Sequence, residues 1–360
     1  MIHLKCNYFG HLGIELHGYY FCNALNRYHQ VALHPGDDIP ARPRLKESTR
    51  IMLDNASTSS KSACTIGVGQ FEGMQELKGD FKIAFIAWET SYIPEEQLRL
   101  LNAVDEIWTP SAWGKSIFEQ SSQLPARVKV IPEGVDIDIF RPLKQTSCTA
   151  GKPFRFLFVG KWEVRKGIDR LLQAWSKAFP KNTNVELILH GHNSSIPNFD
   201  LRAALKQVDI PMAPVIASYP RANTHEMVAL YNSCDAFVLP TRGEGWGLPI
   251  IEAMACEKPV IVTDYSAHTS YANEDNAYLI GVKRMIDVDD PMFYKNELNF
   301  GQWADPDVEH LVHLLRHVVI NQDEARGKAI QARKDVVAQW TWDHAAKKAW
   351  QRIEKVTELP

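Results

Sequence analysis

The sequence predicts an α/β protein of two domains, each a parallel sheet covered by helices. Three observations predict it. The chain has 360 residues, beyond the size at which a single hydrophobic core usually keeps growing, and its 45% apolar content can fill two. Short apolar runs alternate with amphipathic stretches throughout, the order of parallel strands joined by crossover helices. A polar stretch carrying Pro and Gly at its ends, "RPLKQTSCTAGKP" at 141–153, separates those runs into two sets and has the composition of a linker.

The first set of strand candidates is "MIHLKCNY", "HQVALHP", "ACTIGVG", "KIAFIAWE", "EIWTPS" and "ARVKVIP". The second is "FRFLFVG", "VELILHG", "APVIAS", "DAFVLP", "PVIVTD" and "AYLIG". Each set can build its own sheet, which assigns 1–145 to an N-terminal domain and 146–340 to a C-terminal one. Residues 281–306 lack a periodic signal and read as a long connecting loop. Beyond them Val308, Leu311, Leu314, Leu315 and Val318 recur at helical spacing, and "DHAAKKAWQRIEKV" supplies a final helix within 341–360.

Composition narrows the function. Net charge is −3 and no long basic run occurs, so nucleic acid is not an expected partner. The start, "MIHLKCNYFG", lacks the charged and apolar segments of a signal peptide, and no run approaches the ~20 apolar residues of a membrane span. A soluble, cytoplasmic protein is therefore expected. Its six cysteines are scattered without C-x-x-C spacing, which fits reduced core thiols rather than a disulfide frame or zinc site.

The most informative stretch is "PTRGEGWGLPIIEAMACEKPVIVTD" at 240–264, with Glu244 and Glu252 on either side of a glycine-rich turn. "CDAFVLP" is a buried strand and "LPIIEAMAC" a helix with Pro249 near its first position, where a missing N–H costs nothing. Ligands of open α/β sheets bind at the carboxyl ends of strands, and a helix N-terminus there favours phosphate. The loop is thus a candidate diphosphate cradle. Glu252, placed in the helix's first turn, fits two readings: a carboxylate accepting ribose hydroxyls, or an acid that complements the helix dipole at ~0.3–1 kcal/mol. Glu244, flanked by Gly243 and Gly245, can approach a ligand together with backbone amides; exposed loop glutamates are also common. A glycosidase pair would need the two acids facing each other at ~5–9.5 Å across a sugar groove, and their placement on one loop and helix argues against it.

A second constellation lies upstream. "FRFLFVGKWEVRKGIDRLLQAWSKAF" at 154–179 runs from a strand into a helix with Ile168, Leu171, Leu172 and Trp175 on one face, and Lys161, Arg165 and Lys166 stand at the junction. Cations there can neutralise a departing diphosphate. Taken alone, basic loop residues are usually only solvated; in one domain with "GEGWG" they gain weight.

The ordered set "FVGKWEVRKG" and "HEMVALYNSCDAFVLPTRGEGWGLPIIEAMACEKPVIVTD", with "VDEIWTPSAWGKSIF" and "VIPEGVDIDIFRP" before it, resembles the retaining, nucleotide-sugar-dependent glycosyltransferases of family 4, or glycosyl transferases group 1. The likeness is strong from about residue 100 to 345 and weaker before that. It implies the GT-B fold, with two Rossmann-like domains facing across a cleft and a C-terminal helix crossing back to the N-terminal domain. It also implies that Glu252 binds the donor ribose and that Glu244, with the amides of Gly245, Trp246 and Gly247, holds the transferred sugar. Leu248 and Pro249 would bring backbone near the phosphates, and Lys166 matches the family's diphosphate lysine. Lys161 stands where arginine is commoner, which exchanges bidentate for point-charge binding.

The N-terminal domain matches more loosely. Gly10 and Gly13 in "FGHLGIELHGYYFCNAL" resemble the family's glycine loop, although G-x-x-G also makes ordinary tight turns. No histidine ends "KIAFIAWE": Trp88 and Glu89 occupy the place where the family often has one, and His11 is a rival. In "DYSAHTSYANEDNAYLI" Tyr265, Ser266 and Ala267 replace a common glycine pair, followed by His268; this segment either shapes the pocket or is a helix capped by Ser266. "DVD" at 287–289 reads as a solvated turn. Base recognition is assigned to His190, Gly191 and Tyr219.

The implied reaction moves a hexose or derivative from a UDP- or GDP-sugar to a hydroxyl of a glycan, lipid-linked or small-molecule acceptor, with retention and without metal or other cofactor. The implied setting is surface glycan or polysaccharide biosynthesis. No basic amphipathic helix stands out, so peripheral membrane contact stays an open alternative. Rival readings are another enzyme on this fold, an epimerase or phosphorylase, or a non-catalytic sugar-nucleotide-binding subunit.

Overall fold

Every strand candidate forms a strand in the computed structural model, which describes residues 1–10, 13–40, 45–58, 62–121, 127–143, 151–181, 184–193, 195–206, 213–218, 223–290, 292–294 and 297–357. Two compact units emerge: Met1–Asp136 with Gln339–Pro360, and Ile137–Ala338.

The first unit contains β1 (Ile2–Cys6), α1 (Gly13–Leu25), β2 (Val31–Pro35), α2 (Glu47–Thr58), β3 (Cys64–Val68), β4 (Phe81–Phe85), α3 (Glu95–Arg99), β5 (Glu106–Thr109), α4 (Ala112–Ser121) and β6 (Val128–Val130). Its strands pair in parallel in the order β2-β1-β3-β4-β5-β6. The order reverses between β1 and β3, so the loop after β1, with Gly10, opens at a topological switch point.

The second unit contains β7 (Phe154–Val159), α5 (Ile168–Ala178), β8 (Val185–His190), α6 (Leu201–Lys206), β9 (Val215–Ser218), α7 (Thr224–Asn232), β10 (Ala236–Leu239), α8 (Leu248–Ala255), β11 (Val260–Thr263), β12 (Tyr278–Ile280), β13 (Val282–Asp287), β14 (Gln302–Pro306), α9 (Val308–Ile320) and α10 (Gln322–Gln339). Its large sheet is parallel in the order β12-β11-β10-β7-β8-β9. The runs read as apolar on both faces, such as "AFVL" and "VIVT", are fully buried strands, as helix-covered parallel sheets require. On α5 the expected face of Ile168, Leu171, Leu172 and Trp175 is buried. The order reverses between β7 and β10, the two strands that precede "GKWEVRKG" and "TRGEGWG".

One expectation is corrected. Residues 281–306 are not simply a connecting loop, because β13 and β14 pair as an antiparallel ribbon. Most of β13 is exposed, so it has no buried face whose alternation could be read. Its partner strand anchors the ribbon through buried Trp303, Ala304 and Asp305. Asp287 closes β13 and accepts a hydrogen bond from Gln302 at 3.1 Å, so "DVD" begins in a strand rather than a turn.

The last helix, α11 (Trp342–Val356), belongs to the first unit. Thr341 caps it, and Trp342, Ala345, Ala346, Ala349 and Ile353 are buried. The Trp342 ring stacks on Tyr20 of α1 at 5.7 Å, and Arg352 grips buried Glu106 of β5 with two guanidinium nitrogens. The five described cysteines are free and buried; Cys148 lies outside the described residues. Among the described residues, no helix is long and apolar enough to cross a membrane.

Candidate functional site

The loops after β7 and β10 are neighbours because their strands are neighbours, and one glycine lets them touch. Gly167 has φ 68° and N-caps α5; a Cβ there would meet the Pro240 carbonyl oxygen at 1.9 Å. Three further links bind the loops. The Arg242 amide donates to the Arg165 carbonyl at 2.7 Å, and the Thr241 hydroxyl lies 3.1 Å from the same oxygen. The Arg242 guanidinium holds Asp169 of α5 bidentately at 2.8 and 2.7 Å, the geometry in which arginine binds carboxylate best.

This framework brings three predicted site residues together. Lys166 Nζ donates to both carboxylate oxygens of Glu244, at 2.7 and 2.9 Å. Arg165 Nη1 donates to Glu244 Oε2 at 3.2 Å and to the Gly243 carbonyl at 2.8 Å, and its Nη2 reaches Glu163 Oε1 at 2.6 Å. All three are buried, Glu244 to 3% exposure. Burial alone would raise the Glu244 pKa, but the Lys166 and Arg165 cations and the Lys166 hydrogen bond outweigh it and lower the value to about 2. Glu244 is therefore not an exposed loop acid. Lys161 stands apart from this group: its Nζ lies over the Phe293 ring at 3.7 Å and 4.0 Å from Glu163.

The segment after β11 forms the other support. Ser266 precedes a short helical turn, Ala267–Ser270, but its side chain caps nothing there; the capping expectation is wrong. Its Oγ instead accepts from the Glu244 amide at 2.9 Å, while the Ala267 amide donates to the Glu244 carbonyl at 3.3 Å. His268 is fully buried; its Nε2 lies 2.7 Å from the Thr263 carbonyl, and burial lowers its pKa. The Tyr271 hydroxyl lies 2.8 Å from the Trp246 carbonyl and 3.0 Å from that of Gly247. Gly245, Trp246 and Gly247 are thus buried in a fixed turn, and Gly247, with φ 94°, starts α8. Leu248 and Pro249 occupy the first helical positions, as expected.

Glu252 is not in the first turn of α8. With Leu248 as the first helical residue, it falls in the second, where the terminal amides no longer act on it directly. It is 7% exposed and accepts from the Tyr231 hydroxyl at 2.7 Å. Burial raises its pKa to about 8, against a smaller lowering by that hydrogen bond.

The remaining candidates scatter. His190 ends β8 with its Nδ1 3.0 Å from Ser218 Oγ, and burial lowers its pKa to about 4. Gly191 packs backbone to backbone, since a Cβ would stand 2.8 Å from the Gly160 carbonyl oxygen. In the first unit Gly10 lies against the Glu15 carboxylate, Gly13 begins α1 with open space around it, and Glu89 is half-buried on the loop after β4. His11 and Tyr219 lie outside the described residues. Sequence reasoning missed Glu163, Arg242, Tyr231 and Tyr271. Arg242 stands inside the glycine motif and carried a signal; the two tyrosines are distant in sequence and carried none.

Chemically, the second unit presents buried cations, an ionised carboxylate and a helix N-terminus at the carboxyl ends of two strands beside a switch point, a set suited to an anion with hydroxyl groups. Residues 153–288, which enclose these loops, match the glycosyl transferases group 1 family. Over 144 residues the chain is 31% identical to D-inositol 3-phosphate glycosyltransferase from Arthrobacter sp., covering 38% of this chain and 34% of that one. The match thus spans about a third of that relative's length. Sucrose-phosphate synthase from Thermosynechococcus elongatus superposes with a TM-score of 0.70 at 16% identity, over 99% of this chain and 98% of that one. Anabaena HepE in complex with UDP-glucose gives 0.73 at 14%, over 98% and 99%. The fold is that of the GT-B glycosyltransferases, and the likeness to the glycosyl transferases group 1 family is carried by residues 153–288.

Proposed function

We propose that the chain is a retaining, metal-independent glycosyltransferase that moves a hexose or derivative from a UDP- or GDP-sugar to a hydroxyl of a glycan, lipid-linked or small-molecule acceptor. The observation that carries this reading is the placement of Lys166, Arg165 and Glu244 within hydrogen-bond distance of one another, on the two loops that flank the second unit's switch point. As the bond to the anomeric carbon breaks, positive charge grows on the sugar and negative charge on the diphosphate. Lys166 and Lys161, with the first amides of α8, stabilise that leaving group, and preorganised charge of this kind needs no rearrangement at the moment of reaction. Glu244, with the turn of Gly245, Trp246 and Gly247, orients the sugar hydroxyls. Glu252 accepts the ribose hydroxyls, and His190, Gly191 and Tyr219 meet the base. In this reading the acceptor attacks from the face the diphosphate leaves. The UDP-glucose complex of HepE supports a uridine donor; the site itself names neither base.

The reading also places the protein in the cytoplasm, in surface glycan or polysaccharide assembly, meeting the membrane surface where the acceptor is lipid-linked. Its test is nucleotide release from a panel of UDP- and GDP-sugars, with and without acceptors. Donor binding without release from any of them would reduce the protein to a sugar-nucleotide-binding subunit. Glu252→Ala is expected to weaken donor binding and Glu244→Ala to lose turnover; wild-type behaviour of both would refute the site.

A further inference from the structure

Glu244 cannot serve a sugar fully while it is bound as it is within the chain. A carboxylate offers about four acceptor positions, and three are taken, two by Lys166 and one by Arg165. Lys166 faces the same conflict, since the ammonium meant for a diphosphate donates twice to Glu244. Within the cluster the acids Glu163 and Glu244 stand against the cations Arg165 and Lys166, with Lys161 4.0 Å from Glu163. A diphosphate must compete for Lys166.

We propose that the Lys166–Glu244 pair is an exchangeable latch: a nucleoside diphosphate draws Lys166 away from Glu244, and the released carboxylate then accepts hydroxyls of the sugar, so that diphosphate and sugar bind cooperatively. This inference rests on the donor reading of the site and adds an order of events to it.

The surroundings fit an exchange confined to one side chain. The Glu244 backbone is tied at both ends, by Ser266 and Ala267, and the Lys166 amide is tied to the Glu163 carbonyl at 3.2 Å. Only the lysine stem is free of such ties, and lysine is a point charge on a flexible chain. Arg165 is held differently, its fork spread between Glu163, Gly243 and Glu244. It stays when Lys166 leaves, so Glu244 keeps a cation at 3.2 Å and is not stranded as a lone buried charge, a state that costs ~3–5 kcal/mol. Sugar hydroxyls replace the bonds that Lys166 gave up.

The latch makes an unusual demand on a residue assigned to the sugar: neutralising it must strengthen binding of a ligand that has no sugar. Calorimetric titration of the full chain with UDP and with GDP, in wild type, Glu244→Gln and Glu163→Gln, tests this. Glu244→Gln is expected to bind whichever nucleoside diphosphate the wild type prefers about tenfold more tightly (~1.4 kcal/mol), because Lys166 no longer has a carboxylate to leave. Glu163→Gln removes a neighbouring charge that pairs with Arg165 and, at 4.0 Å, with Lys161 but not with Lys166, and is expected to tighten the nucleotide clearly less than Glu244→Gln does. Unchanged or weaker binding by Glu244→Gln, or equal tightening by both variants, overturns the latch. Should Glu244→Gln fail to fold, the wild type decides: free glucose, galactose and mannose are titrated with and without saturating UDP or GDP. Binding of a hexose only in the presence of the nucleotide supports the latch, and equal binding or none in both conditions overturns it. If UDP and GDP both fail to bind the wild type, the donor reading falls and the latch with it; transfer from a nucleotide sugar without these effects removes the latch alone.

Discussion

The side-chain oxygen of Ser266 accepts a hydrogen bond from the Glu244 amide at 2.9 Å, and Ser266 holds φ 76° and ψ −157° at that position. That backbone region is almost confined to glycine, and other residues in it carry ~1–3 kcal/mol of strain. A buried amide without an acceptor costs a similar ~1–3 kcal/mol. The serine thus trades backbone strain for satisfaction of the residue that carries the site's carboxylate.

Two substitutions separate those terms. Ser266→Ala keeps the strain and strands the Glu244 amide, so it is expected to lose ~1–3 kcal/mol in chemical denaturation. Ser266→Gly also strands the amide but relieves the backbone, which returns it to near wild-type stability. Alanine proving as stable as glycine would remove the strain argument.

Glycines give a second contrast. Gly167→Ala places a methyl group 1.9 Å from the Pro240 carbonyl oxygen at φ 68°. The loops after β7 and β10 must then part, and we expect a loss of more than ~2 kcal/mol together with weaker nucleotide binding. Gly13 opens α1 and has nothing within 4 Å of its position. There alanine should be neutral or stabilise by ~0.5 kcal/mol, because a helical glycine is the costlier residue. Comparable melting curves for the two variants would contradict the packing described.

These contacts mark the limit of what the sequence reveals. The strands of the large sheets are legible because helix-covered parallel strands such as "VIVT" are apolar on both faces, whereas β13 is exposed along most of its length and gives no period to read. The candidate residues are named by the spacing of Glu244 and Glu252 and by the lysine loop, and the structure brings Lys166, Arg165 and Glu244 of them together. The partnerships are not legible, since Lys166–Glu244 and Tyr231–Glu252 depend on strand order and loop closure over long sequence separations. Glu252 also shows how one residue of displacement matters: counted from the glycines it looks like a first-turn acid, yet α8 starts early enough to put it in the second turn.

Arg165 is expected to be the structural cation of the cluster. Arg165→Met leaves the buried carboxylates of Glu163 and Glu244 sharing fewer cations and removes the bond to the Gly243 carbonyl. A loss of ~3–5 kcal/mol follows for a broken buried pair. Arg165→Lys keeps the charge but not the fork and should recover only part of it. Denaturant midpoints read both, and full rescue by lysine would show that the forked geometry is immaterial.

On the proposed donor reading, Glu252 makes stability and nucleotide binding depend on pH in opposite senses. Its folded pKa, raised by burial to about 8, stands above the ordinary value of 4.5. The folded state therefore holds the proton more tightly than the unfolded chain, and the stabilisation is complete below about 4.5 and lost as pH rises through about 8. A change on the order of a few kcal/mol follows over that window. Glu252→Gln keeps a neutral side chain able to accept from Tyr231 and has no proton to lose, so the stability difference between wild type and variant should fall steadily from pH 4.5 to 8. Binding runs the other way, because the ionised carboxylate is the better acceptor for ribose hydroxyls: nucleotide affinity of the wild type should rise through the same window, and that of Glu252→Gln should not. Parallel pH profiles for the two proteins, in either measurement, would show that Glu252 titrates as an ordinary carboxylate.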